Sequence, residues 1–336
     1  MENIMEIIDL SKNENPLGCS RLAQSRAVQA LTQLHRYPCQ GAFEEQLAER
    51  HGFHANQVFV ANGASEIMDL LARSQMQPGL NAVTTRGSFA AYSMITANAG
   101  GRMRVPSVTA DMESDMSSVE TCMDENTRIV WLSRPNNPTG TLVPKQAIIN
   151  LALAHEKAIV VCDEAYIEYV TEAEESLLSE ATLPENLVVL RSFSKLHGIA
   201  GLRIGYAVTS PELANELRKL QLAFSVSSVA IAAATGALED EAFQDRSRET
   251  ARHARVLLQQ TFSGLDVAYL SSVCNFVSFE VDDTRRTHAQ LQERGFLVRE
   301  LEAFGLPRHV RVSTGTIPQT QRFTQAITEL VTQQHR

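Results

Sequence analysis

Between positions 191 and 206 the chain reads RSFSKLHGIAGLRIGY, with Lys195 set among serines, three glycines and an arginine. A lysine amine is the nucleophile for an aldehyde. Serine hydroxyls and an arginine suit a phosphate, and glycines let backbone approach a ligand closely. Together they point to a Schiff base between Lys195 and pyridoxal phosphate (PLP). Such a cofactor needs a carboxylate for its ring nitrogen, and Asp163 ends the apolar run IVVCDEAY. A salt bridge there keeps the ring cationic, so that it accepts the electron pair released at a substrate Cα. Tyr166, three residues on, and Asn137, in RPNNPTG, are candidates for hydrogen bonds to the phenolic oxygen, and small Ala165 lets the ring lie flat.

The remaining candidates extend the same site. NGASE places Ala64 and Ser65 at a strand-to-helix junction, where unpaired N–H groups suit a phosphate. Ser192, Ser194 and Arg203 close the phosphate cup from the lysine segment. Phe89, in GSFAAY, is a candidate to stack on the ring. Arg311, between two valines, presents a fork that matches a substrate carboxylate.

These residues need elements to hold them. Short apolar runs at 57–63, 81–85, 127–133, 158–165 and 186–193 read as buried strands separated by amphipathic helices. Their continuous apolar character predicts a mostly parallel sheet covered on both faces, with function gathered beyond the strand ends. Those ends carry NGAS, SRPNNPTG, DEAY and SFSK. Beyond about 210 the pattern becomes helical from Pro211 to 262. Strand-like runs follow at 275–281, 296–299 and 310–315, with a helix around 284–294 between the first two and a last helix from Gln319. The fold class is therefore α/β: a large domain with a mostly parallel sheet flanked by helices, plus a smaller C-terminal α/β domain. Residues 1–25 form an arm, 26–235 the large domain and 236–336 the small one.

Composition sets the context. A net charge of −9 with no basic block argues against nucleic acid. No apolar run is long enough for a membrane span. The acidic N-terminus lacks a signal-peptide layout, so a cytoplasmic location is expected. Five scattered cysteines form no CxxC pair, so free thiols are expected and no metal site.

In order, NENPLG, RYP, NGASE, SFAAY, PNNPTG, DEAYIEY, SFSKLHGIAGLRIGY, NF and VRVSTG resemble the class I/II aminotransferases of PLP fold type I. Within them the chain is most similar to the histidinol-phosphate aminotransferase subfamily. The resemblance implies that Lys195 holds the cofactor and moves a proton between substrate Cα and cofactor C4′. It places Asp163 on the ring nitrogen, Tyr166 and Asn137 on the phenolic oxygen, and Phe89 on the ring. Ala64, Ser65, Ser192, Ser194 and Arg203 would hold the phosphate, joined by Tyr37 from the other subunit of a homodimer. Arg311 would bind the carboxylate of the amino donor, normally glutamate, and Arg299 the substrate phosphate. Asn15 and the arm would share in specificity.

The chain departs from the family pattern at Ser65, where an acidic residue is usual, and at Arg134, where small residues are common. It also carries His197 in place of an aromatic, Glu300 in place of a proline, and TTRG without the proline before the aromatic. These departures bear on the substrate, a small-molecule amino donor or acceptor, and not on the PLP chemistry. Two alternatives keep the cofactor: an amino-acid decarboxylase of the threonine-phosphate decarboxylase type, and an aromatic aminotransferase. A ligand-sensing domain is opposed by the full set of catalytic residue types and by the lack of a basic helix-turn-helix segment.

Overall fold

The structure, a computed structural model, describes residues 7–106, 116–170 and 175–334. The first six residues of the expected arm and the last two of the chain lie outside them. Among the described residues twelve strands run in chain order. The first eight are β1 (Ile8–Asp9), β2 (Val58–Ala61), β3 (Asn81–Thr84), β4 (Arg102–Arg104), β5 (Thr127–Ser133), β6 (Ile159–Asp163), β7 (Leu187–Ser192) and β8 (Gly205–Val208). They are followed by β9 (Phe276–Glu280), β10 (Phe296–Leu297), β11 (Arg299–Glu300) and β12 (His309–Ser313). The helices begin with α1 (Arg21–Ala30), α2 (Gly41–His51), α3 (Ala64–Gln75), α4 (Ala91–Asn98), α5 (Met116–Cys122) and α6 (Lys145–Ala154). They continue with α7 (Pro211–Leu220), α8 (Ser228–Glu239), α9 (Glu241–Gly264), α10 (Thr284–Glu293) and α11 (Ile317–Gln334).

Seven strands form one sheet in the order β2-β8-β7-β6-β5-β3-β4. Only β8 runs against its neighbours; the other six share one direction. The continuous apolar runs TRIVWLS, IVVCD and LVVLRS occupy the centre, where helices cover both faces. Neighbouring residues feed opposite cores: Val160 packs with Val130 and Val189 on one face, Val161 with Trp131 and Leu190 on the other. The β6 strand is the middle one of the seven, so Asp163 emerges at the centre of the sheet's carboxyl edge.

Two strands of this sheet escape the sequence pattern. The short β8 follows the glycine-rich lysine segment, and β4 alternates two arginines around one methionine, with little apolar signal. The Pro211 helix start is as expected, with the Ser210 side chain accepting from the Leu213 N–H.

A second sheet, β11-β12-β9, is antiparallel and packs with α9, α10 and α11 around Phe262, Phe279, Phe296 and Phe323. The terminal helix begins at Ile317, two residues before the expected Gln319. The arm is more tightly built than its sequence suggests. It lends β1 to a parallel pair with β10, and α1 packs along α8.

The arm also meets the lysine segment at close quarters. Gly198 has φ +68°, and a Cβ added there would lie 1.8 Å from the Gly18 carbonyl oxygen. Gly198→Ala is therefore expected to destabilise the protein by roughly 2–4 kcal/mol and to loosen the arm. Chemical denaturation together with limited proteolysis of residues 12–20 measures both. An unchanged midpoint would contradict the close approach.

Candidate active site

The carboxyl ends of β5, β6 and β7 deliver most of the expected residues to one place. Asp163 is buried at 6% exposure. Its Oδ1 accepts from the Ala165 N–H at 3.0 Å and its Oδ2 from the Tyr92 hydroxyl at 3.1 Å. Among the described residues no basic side chain lies within ion-pair distance of it. Burial dominates, outweighing those hydrogen bonds and the Lys195 charge, and raises its pKa from 3.8 to about 6. A buried carboxylate in this state suits a cationic ring nitrogen.

Lys195 is half-buried, with Nζ 5.5 Å from the Tyr166 ring centroid and donating to the Lys12 carbonyl at 3.1 Å. The Tyr166 hydroxyl accepts from the Asn13 amide at 3.1 Å and from the Asn137 amide at 3.5 Å. Two amides aimed at one phenol oxygen match what an anionic oxygen of a ligand would need. Asn137 Oδ1 in turn accepts from Arg311 Nη1, so the lysine side and the arginine side of the site are joined.

Arg311 is buried, with Nη2 donating to the Ser11 carbonyl at 2.8 Å and Nε without a partner among the described residues. It lies over the rings of Phe276 and Phe304, at 5.3 and 5.9 Å. Burial brings its pKa down to about 10, with Tyr166 opposing the fall and Arg299 adding to it. An arginine that remains charged, is largely desolvated and has an unused donor is suited to a carboxylate.

The phosphate candidates also converge. Gly63 (φ +81°) sits at the start of α3, and a Cβ there would meet Arg203 Nη2 at 2.5 Å. Arg203 Nη1 reaches Ser194 Oγ at 3.4 Å, and Ser192 Oγ accepts from the Ser194 N–H at 3.1 Å. Ala64 is buried in the first turn of α3 and Ser65 is exposed beside it. Helix N-terminus, hydroxyls and guanidinium thus form one cradle.

Other candidates have different surroundings. Phe89 stands edge-on to Tyr92 at 5.6 Å and lines a cleft of about 500 Å³ with Ser88, Arg86 and Phe304. Asn15 donates to the Leu196 carbonyl at 2.7 Å and to Ser247 Oγ at 2.9 Å, which commits its amide to holding the lysine segment. Arg299 is exposed, pairs in register with Arg311 across β11–β12, and has no hydrogen bond or ion pair among the described residues. Tyr37 is 80% exposed and stacks on Phe224 at 4.4 Å, outside this cluster within one chain.

The departures from the family pattern acquire physical reasons. Arg134 points away from the cluster to Glu175 and Glu164, with Nε donating to the Val143 carbonyl at 2.6 Å. Glu300 pairs with His288 on α10 at 3.9 Å, on the strand face opposite to its neighbour Arg299.

Asn13 and Tyr92 escaped the sequence reading. Asn13, at φ +55°, sits in the arm, where only its NEN context marked it as polar. Tyr92 looks like a core aromatic, and it does stack on Trp131 at 5.5 Å. Its hydroxyl became meaningful only once Asp163 was placed beside it.

The profile of the family described as aminotransferase class I and II matches residues 5–327. The chain belongs to this family. Two aminotransferases are similar across nearly its whole length. Histidinol-phosphate aminotransferase 1 of Dechloromonas aromatica (strain RCB) is 36% identical over 331 residues, covering 96% of this chain and 90% of that protein. Histidinol-phosphate aminotransferase 1 of Cupriavidus pinatubonensis (strain JMP 134 / LMG 1197) is 37% identical over 330 residues, covering 96% and 87%.

Solved aminotransferases share the fold. The histidinol-phosphate aminotransferase of Clostridium acetobutylicum superposes with TM-score 0.90 at 21% identity, covering 97% of this chain and 100% of that one. The Sinorhizobium meliloti enzyme in complex with pyridoxal-5'-phosphate gives 0.87 at 23%, covering 98% and 91%. The protein is a PLP-dependent transaminase of fold type I. Among the described residues no helix is long and apolar enough to cross a membrane.

The raised pKa of Asp163 has a thermodynamic consequence in the cofactor-free aminotransferase. A carboxyl titrating at about 6 when folded, against 3.8 otherwise, costs stability as pH rises between those values. Asp163→Asn removes the cost, so the cofactor-free variant should be more stable at pH 8 by on the order of 1–3 kcal/mol, while binding PLP more weakly. Thermal unfolding at pH 5 and pH 8 measures it; a variant no more stable than wild type at pH 8 rules out the uncompensated carboxylate.

Proposed function

We propose that the aminotransferase moves an amino group between glutamate and a phosphorylated amino-alcohol or ketone of the histidinol-phosphate type. The cationic side of the cleft carries this reading. Arg299 lies close enough to both Lys12 and Arg311 to repel their charges; Lys12 pairs with Asp9 at 2.8 Å, whereas Arg299 has no acidic partner among the described residues. Arg311 takes the α-carboxylate of the donor, and Arg299 takes the phosphate of the other substrate. The names of the two sequence relatives support the same substrate class.

The roles of the site residues belong to the same proposal. Bound PLP supplies an aldehyde carbon for the amino group and a cationic ring that stabilises negative charge at Cα. Asp163 holds the ring nitrogen protonated. Tyr166 and Asn137 donate to the phenolic oxygen, and Phe89 covers the ring. Ala64, Ser65, Ser192, Ser194 and Arg203 grip the phosphate. Lys195 Nζ would hold the cofactor through its aldehyde carbon and would serve as the base that moves the substrate Cα proton. Arg311 and Asn137, joined by their hydrogen bond, fix the carboxylate so that the Cα–H faces the lysine.

The oligomer and the domains complete the reading. The exposed Tyr37 ring stacks on Phe224, and Val28, Leu31, Leu34 and Leu222 are exposed apolar side chains as well. A second copy covers these residues in the proposed homodimer, and Tyr37 reaches the partner's phosphate cup. Residues 26–235 and 236–336 act as two domains around the cleft, with the arm bridging them. A cytoplasmic location fits the acidic composition. Relatives that are aminotransferases favour amino transfer over the decarboxylase alternative.

Three outcomes are expected. The purified holoenzyme absorbs visible light through the lysine-bound cofactor and loses that band on addition of glutamate; Lys195→Ala lowers turnover by roughly 10²–10⁴-fold. Turnover at the wild-type rate in that variant would end the mechanism. Arg299→Ala raises KM for histidinol phosphate by about 10–100-fold, with little change for the unphosphorylated alcohol. Equal losses for both substrates would remove Arg299 from phosphate recognition.

A further inference from the structure

His197 lies two residues after Lys195, and Glu168 two residues after Tyr166. The two side chains meet inside the protein: His197 is 2% exposed, and its Nε2 is 3.0 Å from Glu168 Oε1. The imidazole also packs on Phe193, with ring centroids 4.9 Å apart, which leaves it little freedom to turn. The lysine segment and the tyrosine turn are therefore tied by a direct polar contact just behind the amine and the phenol that must face each other.

The pair is held from other elements as well. Arg191, on β7, brings Nη1 to 4.0 Å from the Glu168 carboxylate, and pairs with Glu164 through Nε at 3.4 Å. Arg248, on α9, donates from Nε to the Glu168 carbonyl at 2.9 Å. On α2, His51 faces the same group, paired with the Tyr206 hydroxyl at 2.8 Å; burial, with the Arg191 charge, lowers its pKa to about 3, so it is neutral. Burial would raise the Glu168 carboxyl, but His197, Arg191 and Arg248 together bring it down to about 2. Glu168 is thus a carboxylate throughout the working pH range, and it needs its partners.

We propose that His197 and Glu168 form a positioning pair for the Lys195 amine, clamping the lysine segment to the tyrosine turn so that Nζ stays over the Tyr166 ring. The inference rests on the reading of Lys195 as the lysine that binds the cofactor. Both side chains are engaged with each other and with neighbouring protein groups, so the role assigned to the pair is positioning. It acts by restricting where the amine sits, and small displacements of a reacting group are costly in rate.

The test uses the full-length holoenzyme with His197→Phe, which keeps the ring packing on Phe193, with Glu168→Gln, and with the double variant. Three quantities are read: kcat, KM for the amino donor, and the pH midpoint of the visible band of the lysine-bound cofactor. Each single variant is expected to lower kcat roughly 10-fold with KM nearly constant, and to displace the midpoint. The double variant should be no worse than the single ones, because the two residues act as one unit. Singles with a wild-type midpoint and kcat, or losses that multiply in the double, overturn the proposal. If a single variant does not fold, the double, which leaves no unpaired buried charge, is compared directly with wild type: a shifted midpoint with lowered kcat supports the clamp and wild-type values refute it. Borohydride reduction of wild type with peptide mapping separates the two layers. Cofactor fixed to a lysine other than Lys195 defeats the underlying reading, whatever the variants do.

Discussion

The site depends on a carboxylate buried at the middle of a sheet without a basic partner among the described residues. Asp163 sits at the end of the fourth of seven strands, surrounded by apolar packing, with a backbone N–H and a tyrosine hydroxyl as its hydrogen-bond donors. Such a group is expensive to keep ionised, and a cationic ring nitrogen is the natural partner to offset that cost. The sheet's topology makes this geometry possible. Parallel strands deliver their carboxyl ends to one edge, so that the turns carrying Asn137, Asp163 and Lys195 become neighbours although they are far apart in the chain.

The arm is the second organising element. Within a few residues it supplies the Ser11 carbonyl to Arg311, the Lys12 carbonyl to Lys195, the Asn13 amide to Tyr166 and the Asn15 amide to Leu196. Ser313 ties it down again, accepting from the Asn13 N–H at 2.8 Å and donating to Asn13 Oδ1 at the same distance. The arm also closes against Gly198, where no side chain fits. This segment, which lacks periodicity, therefore orders both the large sheet's lysine and the small sheet's arginine. Backbone carbonyls and two asparagine side chains share this work, and neither leaves a periodic apolar pattern in the sequence.

How much could be read without coordinates follows the same physics. The sequence marks Lys195, Asp163, Tyr166 and Asn137 because reactive or polar types stand at or just beyond the ends of strongly apolar strands, and the structure brings the four to one edge of the sheet. Chain order and spacing then carried the family resemblance, which the matching profile supports. By contrast β4 was invisible, since an edge strand reading Arg-Met-Arg has no buried face to announce it. Tyr92 and Asn13 were hidden for another reason: their side chains look like core and loop residues until long-range packing places Asp163 and Tyr166 against them. Arg134 and Glu300, noted in the sequence as departures that bear on the substrate, are accounted for by local ion pairs. Arg134 pairs with Glu175 and Glu164 beyond the end of β5, and Glu300 with His288.

The measurement that bears most directly on this account is the protonation state of the cofactor's ring nitrogen in the holoenzyme. Nitrogen NMR of the protein loaded with ¹⁵N-labelled pyridoxal phosphate reports it across neutral and mildly alkaline pH. A nitrogen that stays protonated throughout that range in wild type, and loses its proton in Asp163→Asn, is what the buried carboxylate requires. A nitrogen that titrates in wild type as it does in the free cofactor would contradict the pairing on which the site is built.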